Sequence, residues 1–218
     1  MSRLRFEKSG DAVWISHLDL MRVFQRAFRR AGFLLRHTGG FNQHAYVSLA
    51  LPLSVGTGSR CEILDFELDE PFRPSELRTR LNAALPAGIR VLEVYEGGQK
   101  LKFLTHLHAE VILEYDAGIP AGTQAALGEL FSRETLPVEK KTKKGVGTVD
   151  LRPMIRHLEI RQADRNTLVL DAVVCAQNPS MNPMQLVTAI EIHAPAWKPD
   201  FAKCRRLEVL TAEGETFR

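Results

Sequence analysis

The order of predicted strands and helices is the feature that most narrows the fold of this 218-residue chain. In its first half, hydrophobic periodicity and turn residues separate strands from helices. The predicted strands lie at 3–8 continued by 12–15, at 45–51, at 60–68 and at 89–96, and the helices lie at 17–31 and 74–84. This β-α-β-β-α-β order predicts an α+β fold of the ferredoxin-like type.

The second half repeats the same order with one insertion. Its strands are predicted at 108–115, 136–141, 147–151, 154–163, 167–175 and 205–211, and its helices at 121–132 and 182–192. The extra pair of strands forms a basic hairpin over 139–145, placed after the first helix of this half. We therefore predict two tandem ferredoxin-like domains, 1–98 and 105–218, with Gly97 and Gly98 at the joint.

Composition excludes several classes of protein. The chain is 44% hydrophobic and 25% charged, which is typical of globular proteins. No apolar run approaches the ~20 residues of a membrane helix, and the chain opens on a polar strand instead of a signal peptide. We therefore expect a cytoplasmic protein with no membrane partner. The cysteines, Cys61, Cys175 and Cys204, are too scattered for an iron–sulfur motif.

Positive charge is concentrated at the beginning of the chain. Residues 1–64 contain nine Lys and Arg against four Asp and Glu, although the whole chain has a net charge of only +3. This asymmetry predicts an anionic partner for the N-terminal half.

The helix predicted at 17–31 carries much of this charge. Ser16 is a plausible N-cap, with Asp19 three residues later. An apolar stripe should face the sheet, and it consists of Leu20, Phe24, Ala27, Phe28 and Ala31. The opposite side carries Arg22, Arg26, Arg29 and Arg30. Two interpretations fit: a solvated helix face, or a surface whose repelling like charges are relieved by an anionic ligand.

The loop that follows, Thr38 to His44, combines two glycines with aromatic and amide side chains. Phe41 and His44 suit stacking on a base, and Asn42 suits reading its edge, as recognition of single-stranded RNA requires. The alternative is a tight turn in which Phe41 is anchored in the core.

Histidines at both ends of this region suggest a third hypothesis. His17 begins the helix and His44 ends the loop, so either is a candidate acid–base group in a metal-independent RNA-processing endonuclease. No nucleophile is evident. No metal site is expected, because the histidines lack metal-ligand spacing.

Several motifs in this region resemble a bacterial family of radical-SAM-linked proteins of unknown function, whose pattern reads SHLDLMR, then RAxRRAG, then GFNPHP, then PLxxGxxSxxE. The corresponding segments here read SHLDLMR from Ser16, RAFRRAG from Arg26, GFNQHA from Gly40 and PLSVGTGSRCE from Pro52. The matching motif residues include His17, Asp19, Gly40, Gly56, Ser59 and Glu62. Both prolines of the family's loop are replaced here, so we expect that loop to be more mobile.

The resemblance implies a function that the spacing of residues does not. It implies an accessory protein that binds RNA, either tRNA or rRNA, and presents it to a partner radical-SAM enzyme for modification. The iron–sulfur cluster and SAM are then expected on the partner, with no cofactor in this chain. Alternatively, the arginine face docks directly on the partner protein, as an adaptor.

A second basic segment lies in the predicted hairpin of the second half. It contains Lys140, Lys141, Lys143 and Lys144, with Arg152 shortly after. These side chains are either a solvated loop or additional contacts to RNA phosphates.

Overall fold

The computed structural model describes residues 2–142 and 145–218, and it confirms the α+β class. The chain divides into two compact units, the first formed by residues up to Leu101 together with Arg218, and the second by Lys102–Phe217. Each unit contains antiparallel strands and two α-helices. Among the helices in these described ranges, none has the length and apolar composition needed to cross a membrane.

The first unit places two helices against one sheet. Its strands are β1 (Ser2–Lys8), β2 (Val47–Leu49), β3 (Thr57–Phe66) and β4 (Ile89–Glu96), and its helices are α1 (His17–Arg30) and α2 (Pro74–Ala84). The sheet has the order β4-β1-β3-β2, and every neighbouring pair is antiparallel.

Aromatic side chains form the centre of this unit's core. Phe6 of β1 meets Phe24 of α1 with 4.7 Å between ring centroids, and Phe28 of α1 meets Phe66 of β3 at 5.0 Å. All four rings are fully buried. Burial of each ring stabilises the fold by roughly 1.5–3 kcal/mol, so these contacts fix α1 on the sheet.

Strand β3 is buried on both faces from Cys61 to Phe66, and this stretch includes the carboxylates of Glu62 and Asp65. Asp65 is 4% exposed, and its carboxylate accepts a hydrogen bond of 2.6 Å from Arg3 Nε. The buried charge of Asp65 is therefore compensated by the guanidinium of Arg3.

The prediction of a strand over 12–15 is wrong. Gly10–Trp14 forms a 3₁₀ helix, which Gly10 enters with φ of +54°. Lys8 lies fully buried at the end of β1, and its Nζ donates to the carbonyl oxygens of Val13 (3.0 Å) and Ile15 (2.8 Å). Those carbonyls therefore accept hydrogen bonds from a side chain. In a strand they would have accepted them from the backbone N–H groups of a neighbouring strand.

The second unit contains a sheet and a separate hairpin. Its elements are β5 (His106–Glu114), α3 (Thr123–Ser132), β6 (Pro137–Thr142), β7 (Gly145–Asp150), β8 (Ile155–Gln162), β9 (Thr167–Cys175), α4 (Gln185–His193) and β10 (Phe201–Leu210). The sheet has the order β10-β5-β9-β8 with antiparallel neighbours. β6 and β7 pair with each other between α3 and β8.

Candidate nucleic-acid interface

Helix α1 begins at a well-defined cap. Ser16 Oγ accepts a hydrogen bond from the Asp19 N–H (3.2 Å) and donates one to Asp19 Oδ2 (2.7 Å). The predicted apolar stripe is buried, from Leu20 at one end to Ala31 at the other. Because this stripe is fixed on the sheet, the arginines on the opposite side of α1 are directed outward.

The four arginines of α1 are all exposed, but their surroundings differ. Arg22 forms an ion pair of 2.8 Å with Asp19 Oδ1. The hydrogen bond from Ser16, and then that from Arg22, lowers the pKa of the Asp19 carboxyl below its usual value. Arg26, Arg29 and Arg30 have no hydrogen bond or ion pair with any residue in the described part of the chain. Most of the positive charge on this helix is therefore uncompensated locally.

Two of these arginines line a groove of about 420 Å³, which we call the arginine groove. Its lining consists of Gln25, Arg26, Arg29, Phe33, Leu34, Leu35, His37 and Ala45. The cations and His37 lie beside apolar side chains, of which Leu35 is buried. Arg30 instead faces a different depression, with Arg80 of α2. The predicted arginine face is thus divided, with Arg26 and Arg29 on one concave surface and Arg30 on another.

The glycine-containing loop is the tip of a hairpin, which we call the glycine hairpin (residues 35–47). Its stem contains a bridge between His37 and Ala45. Thr38 N–H donates to the His44 carbonyl (2.9 Å), and His44 N–H donates to Thr38 Oγ1 (3.0 Å). Tyr46 N–H donates to the Arg36 carbonyl (2.7 Å). These bonds close the stem, so residues 39–43 form the projecting tip.

Phe41 stands at this tip and is fully exposed (109%). The alternative in which Phe41 is anchored in the core is therefore wrong, because the stem holds the tip away from the core. Gly40 adopts φ of +101°, a conformation that favours glycine. Asn42 and Gln43 are exposed beside it. The tip presents an aromatic ring and two amides to solvent.

The two candidate catalytic histidines lie near opposite ends of α1. His17 begins the helix, whereas the stem that holds His44 lies beside Arg26 and Arg29. From His17 to Arg26 the helix rises about 14 Å. His17 Nδ1 is buried without a hydrogen-bond partner among the described atoms, and His44 is exposed. Within the described ranges, no group of three or more His, Cys, Asp or Glu side chains is arranged to hold a metal ion.

The remaining motif residues lie in β3 or just before it. Gly56 N–H donates to the Val13 carbonyl (2.8 Å), and a Cβ placed on Gly56 would come within 3.3 Å of the Trp14 ring. Ser59 is buried in β3, where its Oγ accepts from the Cys61 N–H (3.2 Å), and Glu62 is buried nearby in the same strand. Gly56 thus supports the backbone just before α1, and Ser59 supports the backbone of β3.

Lys8 has a role that was not predicted from the sequence. Its Nζ donates hydrogen bonds to the Val13 and Ile15 carbonyls just before α1. The sequence nevertheless indicates that Lys8 is buried. Leu4, Phe6 and Lys8 occupy alternate positions of β1, so the strand period places all three on the buried face.

The basic hairpin of the second unit is described only in part. The backbone of Lys140 and Lys141 lies in β6. The side chains of these two residues, and the whole of Lys143 and Lys144, lie outside the described residues. Arg152 is half-buried and donates to the Ile155 carbonyl (3.3 Å). Their contact with RNA stays a prediction.

Three cations on the sheet of the second unit, Arg161, Lys203 and Arg205, are paired with carboxylates. Glu110 of β5 accepts from Arg161 of β8 (2.6 Å) and from Arg205 of β10 (2.5 Å). Burial alone would raise the pKa of Glu110, but the hydrogen bonds and charges of Arg205 and Arg161 outweigh it and lower that pKa below its usual value. Lys203 pairs with Glu114 in the same way.

These features define the class of the protein. It is an α+β protein of two units, and its first unit carries a cationic groove. The chain belongs to the bacterial family described as "Uncharacterized protein conserved in bacteria (DUF2344)", whose sequence model matches residues 2–183. This match supports the part of the motif resemblance that places the chain in a conserved bacterial family. No curated protein matches the chain in sequence.

Solved structures are similar to this chain in fold. One is titled "Crystal Structure of a Cbf5-Nop10-Gar1 Complex", with 7% identity, a TM-score of 0.51, and coverage of 95% of this chain and 48% of that chain. A structure of an H/ACA RNP bound to a substrate RNA containing 2′-deoxyuridine has 8% identity, a TM-score of 0.49, and coverage of 95% and 47%. The chain spans about half the length of these matched chains.

Proposed function

We propose that this protein binds RNA, tRNA or rRNA, through the first unit and presents it to a partner radical-SAM enzyme. The observation that carries the proposal is the set of exposed cations on α1, Arg26, Arg29 and Arg30, which have no partner in the described part of the chain. Arginine pairs with phosphate through a planar fork of donors. A strand of phosphates would relieve the repulsion between these neighbouring cations.

The glycine hairpin favours RNA as the ligand over a polyanion that has no bases. Phe41 is a fully exposed aromatic ring at the end of a bonded stem, and bases stack on such rings. Phe41 therefore adds a contact that recognises bases, whereas the arginines recognise the backbone.

Purified protein should bind tRNA at low salt, as measured by fluorescence anisotropy. Replacement of Arg26→Glu together with Arg30→Glu should abolish most of this binding, while Arg73→Glu together with Arg133→Glu, both exposed, should not. Absence of tRNA and rRNA binding at low salt would contradict the proposal, as would equal binding by both double variants.

The partner enzyme is a separate part of the proposal, and exposed apolar side chains near the start of α1 support a protein contact there. Trp14 is 63% exposed, Leu18 68% and Val55 55%. Large exposed apolar residues of this kind are enriched at interfaces. We propose that this region contacts the radical-SAM enzyme, which would supply the iron–sulfur cluster and SAM.

Affinity purification from the native bacterium tests this partner. A radical-SAM protein should be recovered with the wild type after nuclease treatment, and recovery should fall for Trp14→Ala with Leu18→Ala. Recovery that depends on intact RNA would show that RNA, and not this apolar region, joins the two proteins. Recovery lost with the α1 arginine variants but resistant to nuclease would favour the adaptor hypothesis.

We also infer that each unit is a variant of the ferredoxin-like fold. The strand orders β4-β1-β3-β2 and β10-β5-β9-β8 support this, because each follows the same path through its β-α-β-β-α-β elements once β6 and β7 are set aside. Nuclear Overhauser effects between β1 and β3, and between β5 and β9, test these pairings.

A further inference from the structure

We propose that the arginine groove holds one unpaired nucleotide, so that the RNA ligand of this surface is single-stranded where it meets α1. This inference rests on the RNA binding proposed above and names the kind of RNA and the place of one base.

The size of the groove suits one nucleotide. Its volume of about 420 Å³ lies toward the lower end of the range of roughly 300–1,000 Å³ found for small-molecule sites. It is formed within the first unit by the second half of α1, the short segment that follows it, and the base of the glycine hairpin. A concave site of this size admits a single base with its sugar and excludes a duplex.

The chemistry of the lining matches the parts of a nucleotide. Arg26 and Arg29 are spaced i, i+3 on one face of α1 and line the same groove, so both can reach one phosphate or two successive ones. Phe33, Leu34 and Ala45 offer apolar surface to the flat face of a base. Gln25 and His37 supply polar groups for its edge.

The hairpin connects the groove to a second stacking position. His37 and Ala45 line the groove, and the same stem continues to the tip where Phe41 is fully exposed. The bonds between Thr38 and His44 hold stem and tip together. A base next to the one in the groove would therefore have Phe41 available for stacking.

Duplex RNA fits this arrangement poorly. Its bases are paired and stacked inside the helix, and moving one into a side groove requires breaking those contacts. Proteins that recognise duplex RNA read its shape and its 2′-hydroxyls across the minor groove, without taking up a base. The groove and Phe41 therefore favour unpaired nucleotides.

Binding of three labelled RNAs to the purified full chain tests the inference by anisotropy at low salt. The probes are a non-self-complementary strand of about 16 nucleotides, the same strand with abasic residues at every position, and its blunt duplex. The abasic strand keeps every phosphate. We expect it and the duplex to bind at least ~10-fold more weakly than the intact strand.

Two single variants test whether the groove and the hairpin tip contact the bases. Phe41→Ala and His37→Ala remove exposed side chains and should weaken binding of the intact strand about fivefold or more, while binding of the abasic strand stays unchanged. Phe103→Ala removes an exposed ring in the second unit and is the matched control, with no expected effect on either strand.

The outcomes separate this inference from the proposed function. Equal affinity for intact and abasic strands, or preference for the duplex, would overturn the nucleotide site while leaving RNA binding in place. Wild-type preference for the intact strand that is retained in both groove and hairpin variants would also overturn it. Failure of every probe and of tRNA to bind would overturn the proposed function itself.

Discussion

Arginine side chains on the two units of this protein differ in what surrounds them. On α1 of the first unit, Arg26 and Arg29 are exposed and have no ion-pair partner in the described part of the chain. On the sheet of the second unit, Arg161 and Arg205 converge on the carboxylate of Glu110, which is only 8% exposed. The same type of side chain is uncompensated in one unit and neutralised in the other.

The difference shows that partners, more than the number of cations, decide whether a basic surface can take up an anion. An arginine already bonded to a carboxylate must lose that bond before it binds a phosphate, and the buried carboxylate then lacks a counter-charge. An arginine without a partner loses only water. Binding of RNA should therefore depend on the first pair and stability on the second.

The largest effect is expected from removing the unpaired arginines. Arg26→Ala with Arg29→Ala should weaken tRNA binding about 100-fold, because each charge-assisted hydrogen bond to phosphate contributes roughly 1.5 kcal/mol, or tenfold. The free energy of unfolding, measured in urea, should stay within about 0.5 kcal/mol of the wild type. A marked loss of stability in this variant would break the comparison, because the two arginines would then have a structural role.

The reciprocal change should affect stability instead. Arg161→Ala with Arg205→Ala leaves Glu110 without its partners and should lower the free energy of unfolding by about 1 kcal/mol. The value is below that of a fully buried pair, because these arginines are 47% and 41% exposed and solvent screens them. Affinity for tRNA should remain within about twofold of wild type. A drop in affinity comparable to that of the α1 variant would contradict the comparison.

Acid should weaken the paired surface through Glu110. Because its pKa in the folded protein is lowered, its contribution to stability is present above the unfolded value of about 4.3 and is lost as pH falls through the lower folded value. Between a pH above this window and one below it, the urea midpoint should therefore fall less in Glu110→Gln than in the wild type. An identical pH dependence of the two proteins would show that Glu110 contributes nothing.

The smallest effect should come from Asp19, the only carboxylate found paired with an α1 arginine in the described structure. Asp19→Asn releases Arg22 from its ion pair and should raise tRNA affinity about twofold, because the charge lies at an exposed position. Glu76→Gln, which releases Arg80 of α2, is the matched control and should not change affinity. A weaker affinity of Asp19→Asn would indicate that the capped end of α1 matters more than its charge.

Helix α1 was predictable from sequence because its determinants are local. Ser16 and Asp19 are three residues apart, and the stripe from Leu20 to Ala31 repeats with the period of the helix. Its predicted bounds therefore differ from the observed ones by one residue. The buried aromatic contacts then follow from that stripe.

The pairing of cations was not predictable, because it depends on tertiary contacts. Arg161 and Arg205 lie 51 and 95 residues from Glu110 along the chain, and nothing in the sequence relates them. Burial of Lys8 follows from the alternation of β1, but its acceptors do not, because the Val13 and Ile15 carbonyls belong to a segment that had been predicted as a strand. Exposure of Phe41 depends likewise on the stem bonds of the glycine hairpin.

The salt dependence of tRNA binding tests the central claim most directly. The logarithm of the association constant should fall linearly with the logarithm of salt concentration, with a slope that becomes shallower by about two in Arg26→Ala with Arg29→Ala, since each lost phosphate contact removes about one. In Arg161→Ala with Arg205→Ala the slope should equal that of the wild type. Equal slopes for all three proteins would contradict the claim that the unpaired arginines of α1 bind the RNA backbone.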